Sequence, residues 1–349
     1  MGIKENKIHR DLCLITGATG LVGANLIPRL ITAGYKVRAL YRSEEKREHV
    51  RRVISYRYPK QADYIFDSVE WVKYDLTSGK DYFSFMQGVN NIFHCAGFVS
   101  FQPSDRAELF SINVGITEKL VKTALDMDVN CLCHVSSIAT IDTPEGEKMT
   151  ESMGWEPERI HSVYAESKYA AEQAVWAAIS KGLKAIIVNP AVILGPGFWD
   201  TGSSVFFKTA YKGMPVSVPG GTGIVDVADV ADIMVTLTEK GCYGERFILS
   251  GADITYRKLF LLIAQGLGVK PPFIHLPRWV GKPIRLLLRI YHILGAKPLP
   301  LTPGIIKSSF SLLRYNGLAV SDKTGFKYRS AEETISELCR FFLSDISSS

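Results

Sequence analysis

The chain has 349 residues, with 41 Lys and Arg against 35 Asp and Glu and 46% hydrophobic residues, which is enough for one large domain or two modest ones with an ample core. A net charge of +6, spread along the chain, gives no reason to expect nucleic acid as a partner. The N-terminus is too polar for a signal peptide and no apolar run reaches the roughly 18 residues of a membrane span, so a cytoplasmic protein is expected. The six cysteines are scattered without a C-x-x-C pair and the seven histidines show no metal-ligand spacing, so free buried thiols and no metal are expected.

In chain order, the apolar run Leu12-Cys13-Leu14-Ile15 reads as a strand and 24–31 as a helix. Between them stands Thr16-Gly17-Ala18-Thr19-Gly20-Leu21-Val22-Gly23. Strand, glycine-rich turn and helix make the entry of a dinucleotide-binding βαβ unit. Gly17 permits the tight turn, Gly20 lets the backbone approach a pyrophosphate, and Gly23 lets helix and strand pack closely. The anion would sit on the positive end of the helix, with Thr19, Leu21 and Val22 of the same turn counted among its contacts.

Gly34 ends this helix and 35–42 reads as the second strand. An acidic residue at such a strand end takes both ribose hydroxyls of NAD. Here Tyr41 holds that place, Arg42 follows, and Lys46 and Arg47 stand close behind. A guanidinium beside the ribose suits a 2′-phosphate, so NADP is expected, with Arg42 and Lys46 as contacts and NAD as the alternative. A solvated basic loop, diluted by Glu44 and Glu45, is the other reading of these charges. A third strand over 69–76 ends in Asp75-Leu76, where the carboxylate could accept from an adenine amino group or cap the next helix. The strand over 91–97 ends in Cys95, Ala96 and Gly97, whose small side chains leave room for a cofactor lying across the strand ends. A helix over 112–127 carries Asn113, and the strand 131–137 ends in Ser136-Ser137.

Tyr164-Ala165-Glu166-Ser167-Lys168 opens a run of strong helix propensity. Tyr164 and Lys168 stand four apart and face one side. An ammonium near a phenol stabilises phenolate and lowers its pKa from about 10 toward working pH. The tyrosine then serves as general acid toward a carbonyl or as base toward an alcohol.

The 16–23 turn, Asp75-Leu76, Asn113-Val114, Ser136-Ser137, Tyr164 with Lys168, the run from Asn189-Pro190 to Gly197, and residues 224–231 resemble, in order and spacing, the extended short-chain dehydrogenases/reductases of the NAD-dependent epimerase/dehydratase superfamily. The similarity spans roughly residues 10–250 and is nearest to the dihydroflavonol-reductase, cinnamoyl-CoA-reductase and 3β-hydroxysteroid-dehydrogenase group. The resemblance implies an α/β fold, a Rossmann-type doubly wound parallel sheet (1–190 and 224–250) with a smaller, mostly helical substrate domain (191–223 and 251–349). It implies Tyr164 as proton donor or acceptor, and Lys168 as ligand of the nicotinamide ribose and acidifier of Tyr164. Ser137 would hydrogen-bond the substrate oxygen, with Thr140 behind it as the alternative hydroxyl. Asn113 would hold a water relaying protons to Lys168. Asn189, Pro190 and Val192 join the cofactor contacts. Gly115 is displaced from the family's usual Asn-Val-x-Gly-Thr, and Ile138-Ala139-Thr140-Ile141-Asp142 stands in place of the Val-Tyr-Gly usual in epimerases, which counts against a sugar-nucleotide epimerase.

Phe198, Trp199, Phe206 and Phe207 suggest walls of an apolar substrate pocket, or packing inside the smaller domain. Arg278, Lys282, Arg285 and Arg289 recur at helical spacing; a helix capping the substrate domain and a peripheral membrane contact through 278–294 are the two readings. The expectation is an NADP-dependent oxidoreductase acting on a carbonyl, or the corresponding alcohol, of a small apolar or amphipathic molecule. A nucleotide-sugar epimerase or dehydratase with tightly bound NAD is the alternative. A non-catalytic dinucleotide sensor is a second alternative, which the complete set of Ser137, Tyr164 and Lys168 speaks against. A homodimer through helices of the cofactor domain is compatible with the sequence and unsupported by it.

Overall fold

The computed structural model describes residues 11–144, 146–284, 286 and 303–347. Its first six strands are β1 (Leu12–Thr16), β2 (Lys36–Tyr41), β3 (Val69–Lys73), β4 (Asn91–His94), β5 (Cys131–Val135) and β6 (Lys148–Met149). They are followed by β7 (Ala185–Pro190), β8 (Val192–Leu194), β9 (Val216–Ser217), β10 (Gly221–Asp226), β11 (Glu245–Leu249) and β12 (Ala252–Thr255). Seven of these form one sheet in the order β3-β2-β1-β4-β5-β7-β11, with every pairing parallel. This is a doubly wound sheet, and its strand order reverses between β1 and β4, where a crevice opens at the carboxyl ends.

Alternate residues of β1 serve opposite faces. Cys13 and Ile15 pack under the helices Leu21–Thr32 and Val227–Glu239, through Ile27, Leu30, Val230 and Met234. Leu14 packs on the other face with Leu120, Ala124 and Val175 of the helices Ile116–Asp126 and Val163–Ile179. Strands covered on both sides read as continuous apolar runs, which is why β1, β5 and β7 show no polar alternation.

A second sheet, β12-β10-β8, lies against the helices Val205–Tyr211, Tyr256–Leu267 and Ala331–Ser347, whose Phe207, Leu259, Ile263, Ile335 and Leu338 form a separate cluster. The stretch 224–226 belongs to this small sheet, and the chain rejoins the large one with the helix Val227–Glu239 and β11. Of the aromatic residues after β8, Trp199 and Phe207 are buried in the core, and Phe198 and Phe206 are half-buried against it. Phe207 is fully buried, and Trp199 wedges between Phe207 and Phe342 at 5.5 and 5.2 Å between ring centroids. Phe206 rests on Phe260 and Phe198 on His49. A short helix facing a second layer must bury its apolar stripe, and these rings do so. All six cysteines are free. Among the described residues no helix is long and apolar enough to cross a membrane.

Candidate active site

The glycine turn sits where β1 meets β4. Gly17 has a left-handed φ of +67°, and a Cβ on it would lie 2.5 Å from the Ala96 amide nitrogen. The turn is therefore locked against the small residues that end β4, with Cys95 N–H donating to the Thr16 carbonyl at 3.1 Å. Gly23 is equally confined, its Cβ position being 2.4 Å from the Gly17 carbonyl oxygen. Gly20 differs. A Cβ there would meet only Gly17 O, at 3.4 Å, so nothing inside the chain calls for glycine. Gly20 caps the Leu21–Thr32 helix without a side-chain hydrogen bond, and the first turn holds no acidic residue. Open space over bare backbone at a positive helix end suits the phosphates of a dinucleotide, with Thr19, Leu21 and Val22 around it. Val22 also leans on the core, and Leu21 approaches Gly195 across the crevice.

At the end of β2, Tyr41 is buried and its hydroxyl donates to Glu44 at 2.8 Å. Arg47 is committed to Glu44 and Glu48 at 3.0 and 2.8 Å and lies over the Tyr41 ring. Arg42 and Lys46 are exposed. Asp75 closes a local turn, accepting from the amide and hydroxyl of Thr77 at 2.9 and 2.8 Å. Those two bonds hold its carboxyl below the usual range, with Arg42 adding a smaller attraction. Asp75 thus closes a turn and does not cap the next helix, Phe83–Met86, while the Leu76 carbonyl accepts from Tyr82.

The hydroxyl-bearing side is built by β5, β7 and the helix Val163–Ile179, which Ser162 caps by accepting from Ala165 N–H at 3.1 Å. The Ser137 hydroxyl lies beside the Tyr164 phenol, and its oxygen accepts from Ala139 N–H at 3.1 Å. Burial raises the Tyr164 phenol above the ordinary tyrosine value, and the neighbouring Ser137 pulls it partly back. Lys168 is buried and donates from Nζ to the Val135 carbonyl at 2.8 Å. Burial lowers its pKa to about 8, against the attraction of Glu172 and Cys95. Its ammonium is thus held on a backbone carbonyl one helical turn beyond Tyr164. Cys95 is itself pushed up to about 12 by burial and is no nucleophile.

Asn113 lies in a widened π turn, Phe110–Gly115, rather than in a regular helix. Its Oδ1 accepts from Phe98 N–H at 2.7 Å, and its Nδ2 donates to the Phe98 carbonyl at 3.0 Å and to Ser167 Oγ at 2.9 Å. With both Nδ2 protons engaged, the side chain pins the loop after Gly97 to the Tyr164 helix. Two features carried no functional expectation. Thr16 Oγ1, the His94 ring and Thr117 Oγ1 form a buried chain at 2.7 and 2.9 Å that ends on the Asn113 carbonyl. Glu172 gathers Ser136, Thr140 and Asn189. Its signal was legible: it stands four residues after Lys168, at the spacing that relates Lys168 to Tyr164. Pro190 ends β7 beside Asn189, and Val192 opens β8 opposite Ile224. Arg278 and Lys282 are exposed, whereas Arg285 and Arg289 lie outside the described residues.

The profile of the NAD dependent epimerase/dehydratase family matches residues 13–249. A Synechocystis protein provisionally named dihydroflavonol 4-reductase is 28% identical, over 95% of this chain and 94% of its own length. Sterol demethylase protein B of Methylococcus capsulatus is 30% identical over 78% of this chain and 80% of its own. The crystal structure of gox2253 superposes with a TM-score of 0.81 at 27% identity, over 96% of this chain and 99% of that one.

Proposed function

The chain belongs to the NAD dependent epimerase/dehydratase family as an extended short-chain dehydrogenase/reductase, and from this premise we propose that it is an NADP-dependent reductase of a carbonyl on a small apolar or amphipathic molecule. What carries the reading is one juxtaposition. The neighbouring side chains of Ser137 and Tyr164, with Lys168 a turn further along, stand at the same end of the sheet as the open backbone of Gly20.

When bound, NADPH supplies the hydride. The chain's own groups do the rest. Gly17, Thr19, Gly20, Leu21, Val22 and Gly23 hold the pyrophosphate. Arg42, with Lys46 beside it, takes the 2′-phosphate, since Arg47 is tied up in ion pairs. Asp75 and Leu76 border the adenine, and Cys95, Ala96, Gly97, Asn189, Pro190 and Val192 line the path to the reacting end. Ser137 and Tyr164 donate to the substrate oxygen and so place its carbon for attack. Tyr164 gives up its proton as the oxygen becomes an alkoxide. A phenol held protonated by burial suits reduction. Lys168, a buried cation below Tyr164, stabilises the phenolate left behind.

Phe101 meets the Tyr164 ring edge-on at 5.6 Å and is itself exposed, as are Val99 and Ile160, two residues before it and four before Tyr164 in sequence. These side chains, which the sequence did not single out, favour an apolar ring system as substrate. The names of the two relatives suggest dihydroflavonols and oxidised sterols as first probes. The unit formed by 191–223 and 251–349 would supply the rest of the pocket. The exposed Arg278, Trp279 and Lys282 lie on a segment read as closing that unit, with contact to a lipid surface as its alternative. Fluorescence titration of cofactor-stripped protein tests the cofactor assignment. NADPH should bind at least about tenfold tighter than NADH, whereas tightly retained NAD would turn the reading to nucleotide-sugar chemistry.

A further inference from the structure

We propose that Glu172 is the positioning residue that selects Ser137, rather than Ser136, as the substrate-facing hydroxyl. The proposal rests on the reductase reading above and deepens it.

The Glu172 side chain is 1% exposed. Its Oε2 accepts from Ser136 Oγ at 2.5 Å, Thr140 Oγ1 at 2.8 Å and Asn189 Nδ2 at 2.8 Å. Its Oε1 accepts from Trp176 Nε1 at 3.2 Å and faces Arg246 Nη1 at 3.5 Å. The only proton of the Ser136 hydroxyl is thereby spent inside the protein. Two of the same donors also grip the neighbouring residue. Asn189 Nδ2 reaches the Ser137 carbonyl at 3.0 Å, and Thr140 Oγ1 lies 2.9 Å from it, its single proton shared between this carbonyl and Glu172 Oε2. Consecutive residues at an extended strand end point to opposite sides, and Ser137 is extended, with φ −159° and ψ 151°. Anchoring the Ser136 hydroxyl on one side and the Ser137 carbonyl through Thr140 and Asn189 keeps the Ser137 hydroxyl off Glu172, its oxygen accepting from Ala139 N–H at 3.1 Å and its proton left for the side of the neighbouring Tyr164.

Glu172 also faces Lys168 from the same helix. The other titratable groups around that ammonium are His94 at the end of β4, Cys95 just after it, His134 on β5 and Tyr164 one turn earlier. Glu172 is the one carboxylate in this set. Removing its charge should therefore lower the Lys168 pKa further.

The test compares Glu172→Gln, Ser136→Ala and Ser137→Ala, following NADPH oxidation with the best ketone of the panel. Glu172→Gln is expected to lose about tenfold or more in kcat while the NADPH Kd moves less than about threefold, and Ser137→Ala should lose far more than Ser136→Ala. A second readout needs no turnover. In cofactor-free protein, NMR of ε-carbon-labelled lysine should show Lys168 titrating at lower pH in Glu172→Gln than in the native chain. Should Glu172→Gln fail to fold because Arg246 is left without its partner, Thr140→Val keeps that pair and should still lower kcat without weakening NADPH. Equal losses in Ser136→Ala and Ser137→Ala, or native turnover and an unmoved Lys168 in Glu172→Gln, would overturn the proposal. Native turnover in Tyr164→Phe would instead remove the reductase reading beneath it.

Discussion

Gly23 sits so close to Gly17 that a Cβ on it would lie 2.4 Å from the Gly17 carbonyl oxygen. That contact holds the start of the first helix against the end of β1. Gly20, between them, has no such neighbour. One turn thus contains glycines required by the fold and one that matters to an outside group.

The two kinds separate by substitution. Gly23→Ala forces backbone apart and should cost at least about 2 kcal/mol of stability. Gly20→Ala should cost no more than about 1 kcal/mol while weakening the dinucleotide strongly. Thermal melts and a cofactor titration on the two variants check this. Comparable Tm losses with comparable affinities would contradict it.

Arg42 and Arg47 should part in the same way. Arg42→Ala is expected to weaken NADPH by about 10- to 100-fold and to leave NADH nearly unchanged. Arg47→Ala should keep the NADPH to NADH ratio and lower stability only slightly, because its guanidinium pairs with Glu44 and Glu48 and covers the Tyr41 ring. Titrations of both nucleotides decide between them. An unchanged ratio in Arg42→Ala would point to NAD.

Burial places Lys168 near 8, so the ammonium is present at neutral pH and is lost above it. The phenol of Tyr164, raised by burial, stays protonated throughout that range. The pH profile of kcat/KM for reduction should therefore fall on its alkaline side with an apparent pKa near 8. Stability follows the opposite sign. The folded value lies below the 10.5 of an unfolded lysine, so the unfolded chain binds more protons between the two values. Stability from this group is least below about 8 and is regained as pH rises toward 10.5. Urea midpoints of the native chain should gain on those of Lys168→Met between pH 7 and pH 10, both values lying around that window; a constant difference would contradict it.

The sequence was most informative where chemistry follows from near neighbours. The strand before Gly17, the helix after Gly20 and the four-residue step from Tyr164 to Lys168 are local patterns, and the structure carries each of them. The small residues Cys95, Ala96 and Gly97 were expected to leave room for cofactor, and Ala96 proves to be what presses on Gly17. Long-range partners were not legible. Whether Phe198 and Trp199 line a pocket or a core depends on His49, Phe207 and Phe342, the first and last about 150 residues away in sequence. The π turn at Asn113 and its clamp on Phe98 arise from packing against Ser167, more than fifty residues downstream. The choice between Ser136 and Ser137 needed Glu172 and Asn189, from a later helix and strand. Side chains that decide a role through contact with a distant element leave no periodicity to read.

The most direct measurement is a paired one on Tyr164→Phe: the rate of NADPH oxidation with the best ketone of the panel, and the NADPH Kd by fluorescence. Loss of one hydroxyl should leave the fold and the cofactor affinity nearly as in the native chain and lower kcat by about a thousandfold or more. Near-native turnover with near-native affinity would mean that the proton comes from another group, and the role assigned to Tyr164 would fall.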